Sequence, residues 1–202
     1  FYTAGYLQRK AKAPRARRRR IVVIPERLDN GAISPCAYIR LLQPLDHPAI
    51  GGDFDVILAD ADTALRERAD VIITQRYAIP DVTKADRLAA HGARLVYDLD
   101  DDLLHIPRGH PDADALRPKA SVVRRMLRAA DHVWVSTDAL AESVGHAARV
   151  IPNGLDERIW VAEPRLDAVR HDPVRILCMG TATHDDDFAL IAPALERLHT
   201  EL

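Results

Sequence analysis

The feature that most restricts this chain is a repeated alternation. A short, unbroken apolar run gives way to a turn, and the turn to a segment with apolar residues at helical spacing. Ile21 to Pro25 (IVVIP), Asp70 to Thr74 (DVIIT), Arg94 to Asp98 (RLVYD) and His132 to Ser136 (HVWVS) are runs of this kind. A strand without polar alternation is covered on both faces, which is the signature of a parallel sheet. Parallel strands need long crossovers, normally helices, and the crossovers are right-handed. The pattern therefore predicts strands at these four runs and at Phe54 to Leu58 and Arg149 to Pro152. Helices are predicted at Pro35 to Leu45, Asp62 to Ala69, Val82 to His91, Pro111 to Ala130 and Thr137 to His146. The implied fold class is α/β: a doubly wound, Rossmann-like parallel sheet with helices on both faces.

The alternation is interrupted once. Residues 163–173 are polar, carry two prolines and read as a linker. Val174 to Gly180 (VRILCMG) then restarts the pattern as a new first strand. Phe188 to Leu202 follows as its helix, with Leu190, Ile191, Leu195 and Leu198 on one face. The expected organisation is a basic leader over residues 1–20, a first domain over 21–162, the linker, and the start of a second domain over 174–202. The chain starts at Phe1 and stops inside a helical pattern, so it is expected to be a piece of a longer protein.

Charge and composition narrow the function classes. The formal net charge of −2 offers no global field for nucleic acid. The leader is an exception, with eight Lys or Arg among its 20 residues. It reads as a flexible tail, with peripheral contact to an anionic membrane face, or attraction to a phosphate-bearing polymer, as the functional alternative. Cys36 and Cys178 lie in apolar surroundings and read as reduced core residues of a cytoplasmic protein. No apolar run reaches the roughly 20 residues of a membrane span, and no signal peptide is visible. The Gly-rich dinucleotide fingerprint is missing after the first strand, so no nicotinamide cofactor is expected.

The strand at Arg94 runs into Asp98, Asp100, Asp101 and Asp102. Unpaired carboxylates this close resist burial, so the run is expected at an open strand end facing substrate or solvent. In an open α/β sheet the carboxyl ends of the strands form the ligand crevice.

Three segments carry a family resemblance: DHVWVSTDALAES, RVIPNGLDERIW and RILCMGTATHDDDFALIAPALERL. Their order resembles the end of the first domain and the start of the second in GT-B glycosyltransferases, within the large retaining family that uses nucleotide-sugar donors. The resemblance implies transfer of a sugar to a glycan or lipid-linked acceptor, with no cofactor and no metal. It implies an acceptor side in the first domain and a donor side in the second. The family's histidine at the end of the fourth strand falls on Asp100, with Asp101 beside it, and His105 is the nearest histidine. Asp100 and Asp101 are thus the candidate catalytic residues, and Asn30, Ser34, Arg40 and His105 the candidate acceptor contacts. Gly180, Thr181 and His184 are the candidate donor contacts. The family's two diphosphate-binding cations are replaced by Thr181 and Asp186, which leaves the backbone N–H groups of the loop and helix start to serve. Asn153-Gly154 is expected to shape the turn before the second domain.

Two other readings compete. Strand plus DLDDDL resembles the nucleophile and acid pair of Mg²⁺-dependent phosphohydrolases of the haloacid-dehalogenase type, or a D-x-D metal site. The remaining alternative is a non-catalytic α/β module.

Overall fold

A computed structural model describes residues 18–50, 52–145, 147–160, 176–178, 180 and 184–201. Six parallel strands form one sheet in the order β2-β1-β3-β4-β5-β6. The strands are β1 (Arg19–Ile24), β2 (Phe54–Leu58), β3 (Val71–Gln75), β4 (Arg94–Leu99), β5 (His132–Val135) and β6 (Ala148–Val150). The helices are α1 (Pro35–Ala37), α2 (Gln43–Asp46), α3 (Ala61–Ala64), α4 (Val82–Ala89), α5 (Ala113–Leu116), α6 (Ala120–Ala129), α7 (Asp138–Val144) and α8 (Asp185–Glu201). A π-helical stretch, Tyr38–Leu42, joins α1 to α2, and a 3₁₀ turn, Arg117–Lys119, joins α5 to α6.

Strand order and crossover handedness together distribute the core. From β1 the chain moves one way to β2; every later crossover moves the other way. Right-handed crossovers therefore put the helix after β1 on one face and the later helices on the opposite face. The two apolar clusters match. Leu41 and Leu42 pack with Ile21, Val23, Ile73 and Val96 on one face. Side chains of α4, α6 and α7, among them Leu88, Met126 and Leu140, pack with Val22, Ile72, Leu95, Tyr97 and Val133 on the other. The point where direction reverses lies between β1 and β3, and a ligand crevice is expected there at the carboxyl ends. Local chemistry starts the helices: the side chains of Asp60, Asp81 and Thr137 accept the N–H of Thr63, Lys84 and Leu140.

Several boundaries depart from expectation. The leader ends sooner, because Arg19 and Arg20 already pair with Phe54 and Asp55 of β2. The helix expected over Asp62 to Ala69 stops at Ala64, since the chain must return to Arg20, whose carbonyl accepts the Asp70 N–H at 2.9 Å. The long helix expected from Pro111 is broken into three pieces at Pro118, which has no N–H to give. Neither cysteine is a core residue. Cys36 is half-buried beside charged groups, and Cys178 is exposed along with its neighbours Ile176 and Leu177, which no apolar surface covers among the described residues.

Contacts divide the chain into two units, one of residues 1–106 and 114–161, the other of 107–113 and 162–202. The second contains α8, which starts three residues earlier than expected. The linker over 163–173 lies outside the described residues, as do positions 174, 175 and 179 of the expected strand; residues 176–178 and 180 are not in a strand.

Candidate functional site

The acidic run divides into three environments. On β4, Val96 and Asp98 face the cluster that holds Leu41, while Leu95, Tyr97 and Leu99 face the opposite one. That parity drives Asp98 inside, where it is 1% exposed. Its burial is made tolerable by Arg40, whose Nε and Nη2 reach the two carboxylate oxygens at 2.8 and 2.6 Å. Gln75 adds its Nε2 at 3.2 Å. Burial pushes the Asp98 carboxyl above its usual range, and the Arg40 fork pulls against that. Arg40 also reaches the segment after β6, donating from Nη1 to the Ile151 carbonyl at 3.0 Å and Asn153 Oδ1 at 2.8 Å. Its side chain is only 3% exposed. The expected acceptor contact is thus an internal tie between three segments, and Asn153 is one of its ends.

Asp100 and Asp101 stand at the open end of β4 around Arg76, which follows β3 directly. Arg76 Nη1 lies 3.0 Å from Asp100 Oδ1 and 3.6 Å from Asp101 Oδ2, and its Nε 3.2 Å from Glu26 Oε2. Glu26 follows β1, so this constellation occupies the point where the strand order reverses. Asp100 is 12% exposed and Asp101 69%: the first is held, the second open. Burial works against the Arg76 charge, but Asp100 and Glu26 outweigh it and raise its proton affinity above the ordinary guanidinium range. Among the described residues Arg76 is the one non-glycine with positive φ, at 45°. Its N–H donates to the Asp98 carbonyl at 3.1 Å, and its carbonyl accepts the Tyr97 hydroxyl at 2.9 Å. Such a conformation costs of order 1 kcal/mol or more and persists where surroundings impose it, commonly at ligand sites. Cys36, 3.9 Å from Arg76 Nη1, has its thiol pushed up to about 12 by burial and then by Asp100, so it stays protonated and un-nucleophilic.

Asp102 belongs to neither group. Its Oδ1 accepts the N–H groups of Leu104 and His105 at 3.0 and 3.1 Å. His105 Nδ1 is 2.9 Å from Asp102 Oδ2 and 3.3 Å from Ser143 Oγ, and that hydroxyl donates to Asp102 as well. A Ser-His-Asp relay needs its carboxylate and hydroxyl on opposite ring nitrogens; here both crowd Nδ1. The group is a loop clasp, and His105 is apart from Arg76.

The remaining candidates are local. Asn30 Oδ1 accepts the Ala32 N–H at 3.0 Å, and Ser34 Oγ caps α1 through the Ala37 N–H at 3.1 Å. In the second unit, a Cβ on Gly180 would come to 3.0 Å from His184 Cβ and Phe188 Cζ, a tight contact that those side chains would have to ease. His184 Nδ1 lies 2.8 Å from Asp187 Oδ2, and Thr181 lies outside the described residues.

A second set of polar groups lines a surface pocket of about 250 Å³ beside Gln43, Pro44 and Leu155. His47, Asp156 and Glu157 converge there with donor atoms within 4.8 Å of one another. Their bonding does not suit a cation. His47 Nδ1 accepts the Ala49 N–H at 3.2 Å, which leaves the proton on Nε2, facing Glu157 Oε1 at 3.1 Å. Both oxygens of Asp156 are taken by Arg158.

Arg76, Glu26 and Gln75 were not singled out by sequence. The one available signal was position: a charged residue at the end of the strand beside the reversal point. No protein-family model matches this chain, and no curated protein or solved structure matches it.

Proposed function

We propose that the protein is a cytoplasmic glycosyltransferase whose first unit is the acceptor-side half of a nucleotide-sugar-dependent, GT-B-type enzyme. The observation that carries this reading is the Glu26, Arg76, Asp100, Asp101 constellation at the strand-order reversal. Carboxylates and a guanidinium held at a crevice offer the paired acceptors and donors that sugar hydroxyls recognise. Asp101, open to solvent, takes a hydrogen bond from one acceptor hydroxyl, and Asp100, oriented by Arg76, receives the proton of the reacting hydroxyl. Arg40 and Asn153 then act by holding the P-N-G segment, from which the chain leaves for the donor-binding half. The start of that half, the loop at Gly180 and the head of α8, would meet the donor diphosphate through backbone N–H groups.

The phosphohydrolase reading loses its central residue. Its nucleophile would be Asp98, which is buried with both oxygens on Arg40. The D-x-D metal reading is disfavoured in the same way, because Asp98 and Asp100 are engaged by different arginines.

The test supplies the full-length protein with radiolabelled nucleotide sugars and a glycan acceptor, with and without EDTA. Transfer or donor hydrolysis that persists in EDTA is expected. Asp100→Asn is expected to fold normally and lower transfer by roughly 10²-fold, the usual scale for a lost acid–base group. Unchanged transfer would remove Asp100 from the chemistry; EDTA-sensitive release of phosphate from a monoester, with no sugar transfer, would replace the reading altogether.

A further inference from the structure

The pocket beside Gln43 offers a hydrogen-bond donor what it denies to a bare metal ion. A metal needs a free lone pair on histidine and uncommitted carboxylate oxygens, and neither His47 nor Asp156 supplies them. A donor meets a different inventory. Gln43 lines the pocket and is 7% exposed, and its Oε1 accepts no hydrogen bond among the described residues. A buried carbonyl oxygen in that condition is unusual, because the water it gave up has not been replaced. The last torsion of a glutamine side chain is soft, so this oxygen turns readily toward a donor in the pocket. The second acceptor is Glu157. Its carboxylate meets His47 Nε2 at 3.1 Å, and its side chain is otherwise open, at 75% exposed. Its own N–H and then His47 hold that carboxyl below the usual range, so it is charged at neutral pH. Pro44 and Leu155 complete the wall with apolar surface. No lysine or arginine lines the pocket. Of the guanidiniums nearby, Arg158 is spent on Asp156 and stands 3.9 Å from Asp46, and Arg40 is paired with Asp98.

We propose that this pocket binds a small primary ammonium with a compact apolar body, its N–H groups on Gln43 Oε1 and the Glu157 carboxylate and its body against Pro44 and Leu155. An ammonium has donors and no acceptor, which matches walls that present acceptors. An anion would face two carboxylates, Asp156 and Glu157, and a carbonyl oxygen. A plain hydrocarbon would leave Gln43 unpaired. Size sets a further limit. Drug-sized ligands occupy about 300–1,000 Å³. At about 250 Å³ this pocket takes a smaller guest, on the scale of a single six-membered ring. The pocket shares no residue with the Arg76 constellation, and the inference does not rest on sugar transfer.

The probe is cyclohexylamine, titrated into the full chain at neutral pH beside cyclohexanol and cyclohexanecarboxylate, which keep the ring and change the polar group. The amide NMR signals of Gly154 and Leu155 are expected to shift saturably with the amine, about tenfold more weakly with the alcohol and not at all with the acid. Glu157→Gln, a change at an exposed side chain, is expected to weaken amine binding severalfold. Gln43→Leu keeps the volume filled and removes the acceptor. It is expected to weaken amine binding about tenfold without lowering the thermal midpoint, because it also removes an unpaired buried amide. Should that variant fail to fold, Glu157→Gln decides alone. No saturable shift with cyclohexylamine overturns the proposal. So does equal binding of the amine and the acid. Amine binding that neither variant weakens overturns it as well, since the ammonium would then sit elsewhere.

Discussion

Arg76 shows how much one position can carry. Its left-handed backbone is fixed on both sides by the Asp98 carbonyl and the Tyr97 hydroxyl, and its guanidinium gathers three carboxylates. Strain and ion pairing can be separated by substitution. Arg76→Gly and Arg76→Ala lose the same ion pairs, but glycine adopts positive φ freely. Arg76→Gly is therefore expected to be more stable than Arg76→Ala by about 1 kcal/mol in urea unfolding, with both equally impaired in the proposed sugar transfer. Equal stabilities would show that the backbone there is not strained. Repulsion among carboxylates correctly placed Asp100 and Asp101 at an open strand end. The same reasoning misplaced Asp98, because the residue that makes its burial tolerable, Arg40, is 58 positions away and leaves no local trace. Arg76 was illegible for a related reason: a backbone torsion imposed by a neighbouring strand has no motif.

At the scale of elements, the helical run after β1 is more than a cover for one face. Its π-helical middle carries Arg40, and such insertions recur at functional sites. The Arg40 tie joins this run to β4 and to the segment after β6. Arg40→Met leaves Asp98 buried without its partner and is expected to cost about 3–5 kcal/mol. Arg40→Met with Asp98→Leu is expected to recover most of that loss, since an apolar pair of similar volume avoids the desolvation. In the double variant, amide exchange at Asn153 to Leu155 is expected to stay fast, because neither apolar side chain replaces the guanidinium's bonds to Ile151 and Asn153; slow exchange would contradict the tie. The alternation of strands and helices was legible because covering both faces of a sheet writes itself into composition. The extents of α3 and α5–α6 were not, because one backbone hydrogen bond at Arg20 and one proline decided them.

On the scale of the whole molecule, acid stability follows from carboxylates held low. Asp156 is lowered from 3.8 to about 2, chiefly by the Arg158 side chain. Asp60 is lowered by the Thr63 N–H, and Asp102 by Ser143 and His105 against its burial. A carboxyl with a lower pKa in the folded state contributes stability above its unfolded value and loses it as pH falls through the folded one. Stability is thus expected to decline from about pH 4 towards about pH 2. Asp156→Asn is expected to flatten that decline when unfolding midpoints are compared across the range; an unchanged slope would remove Asp156 from the account. Thr63, His105 and Arg158 are near neighbours of the carboxylates they hold, and only Ser143 comes from far along the chain; composition shows none of this, because there positive and negative charges simply cancel.

The Arg40 guanidinium also closes a long circuit of chain. It joins the run after the first strand directly to Ile151 and Asn153, more than a hundred positions on. The last strand, three residues long at the margin of the sheet, is thereby moored to the opening crossover, and a disturbance at either end of the first unit is felt at the other.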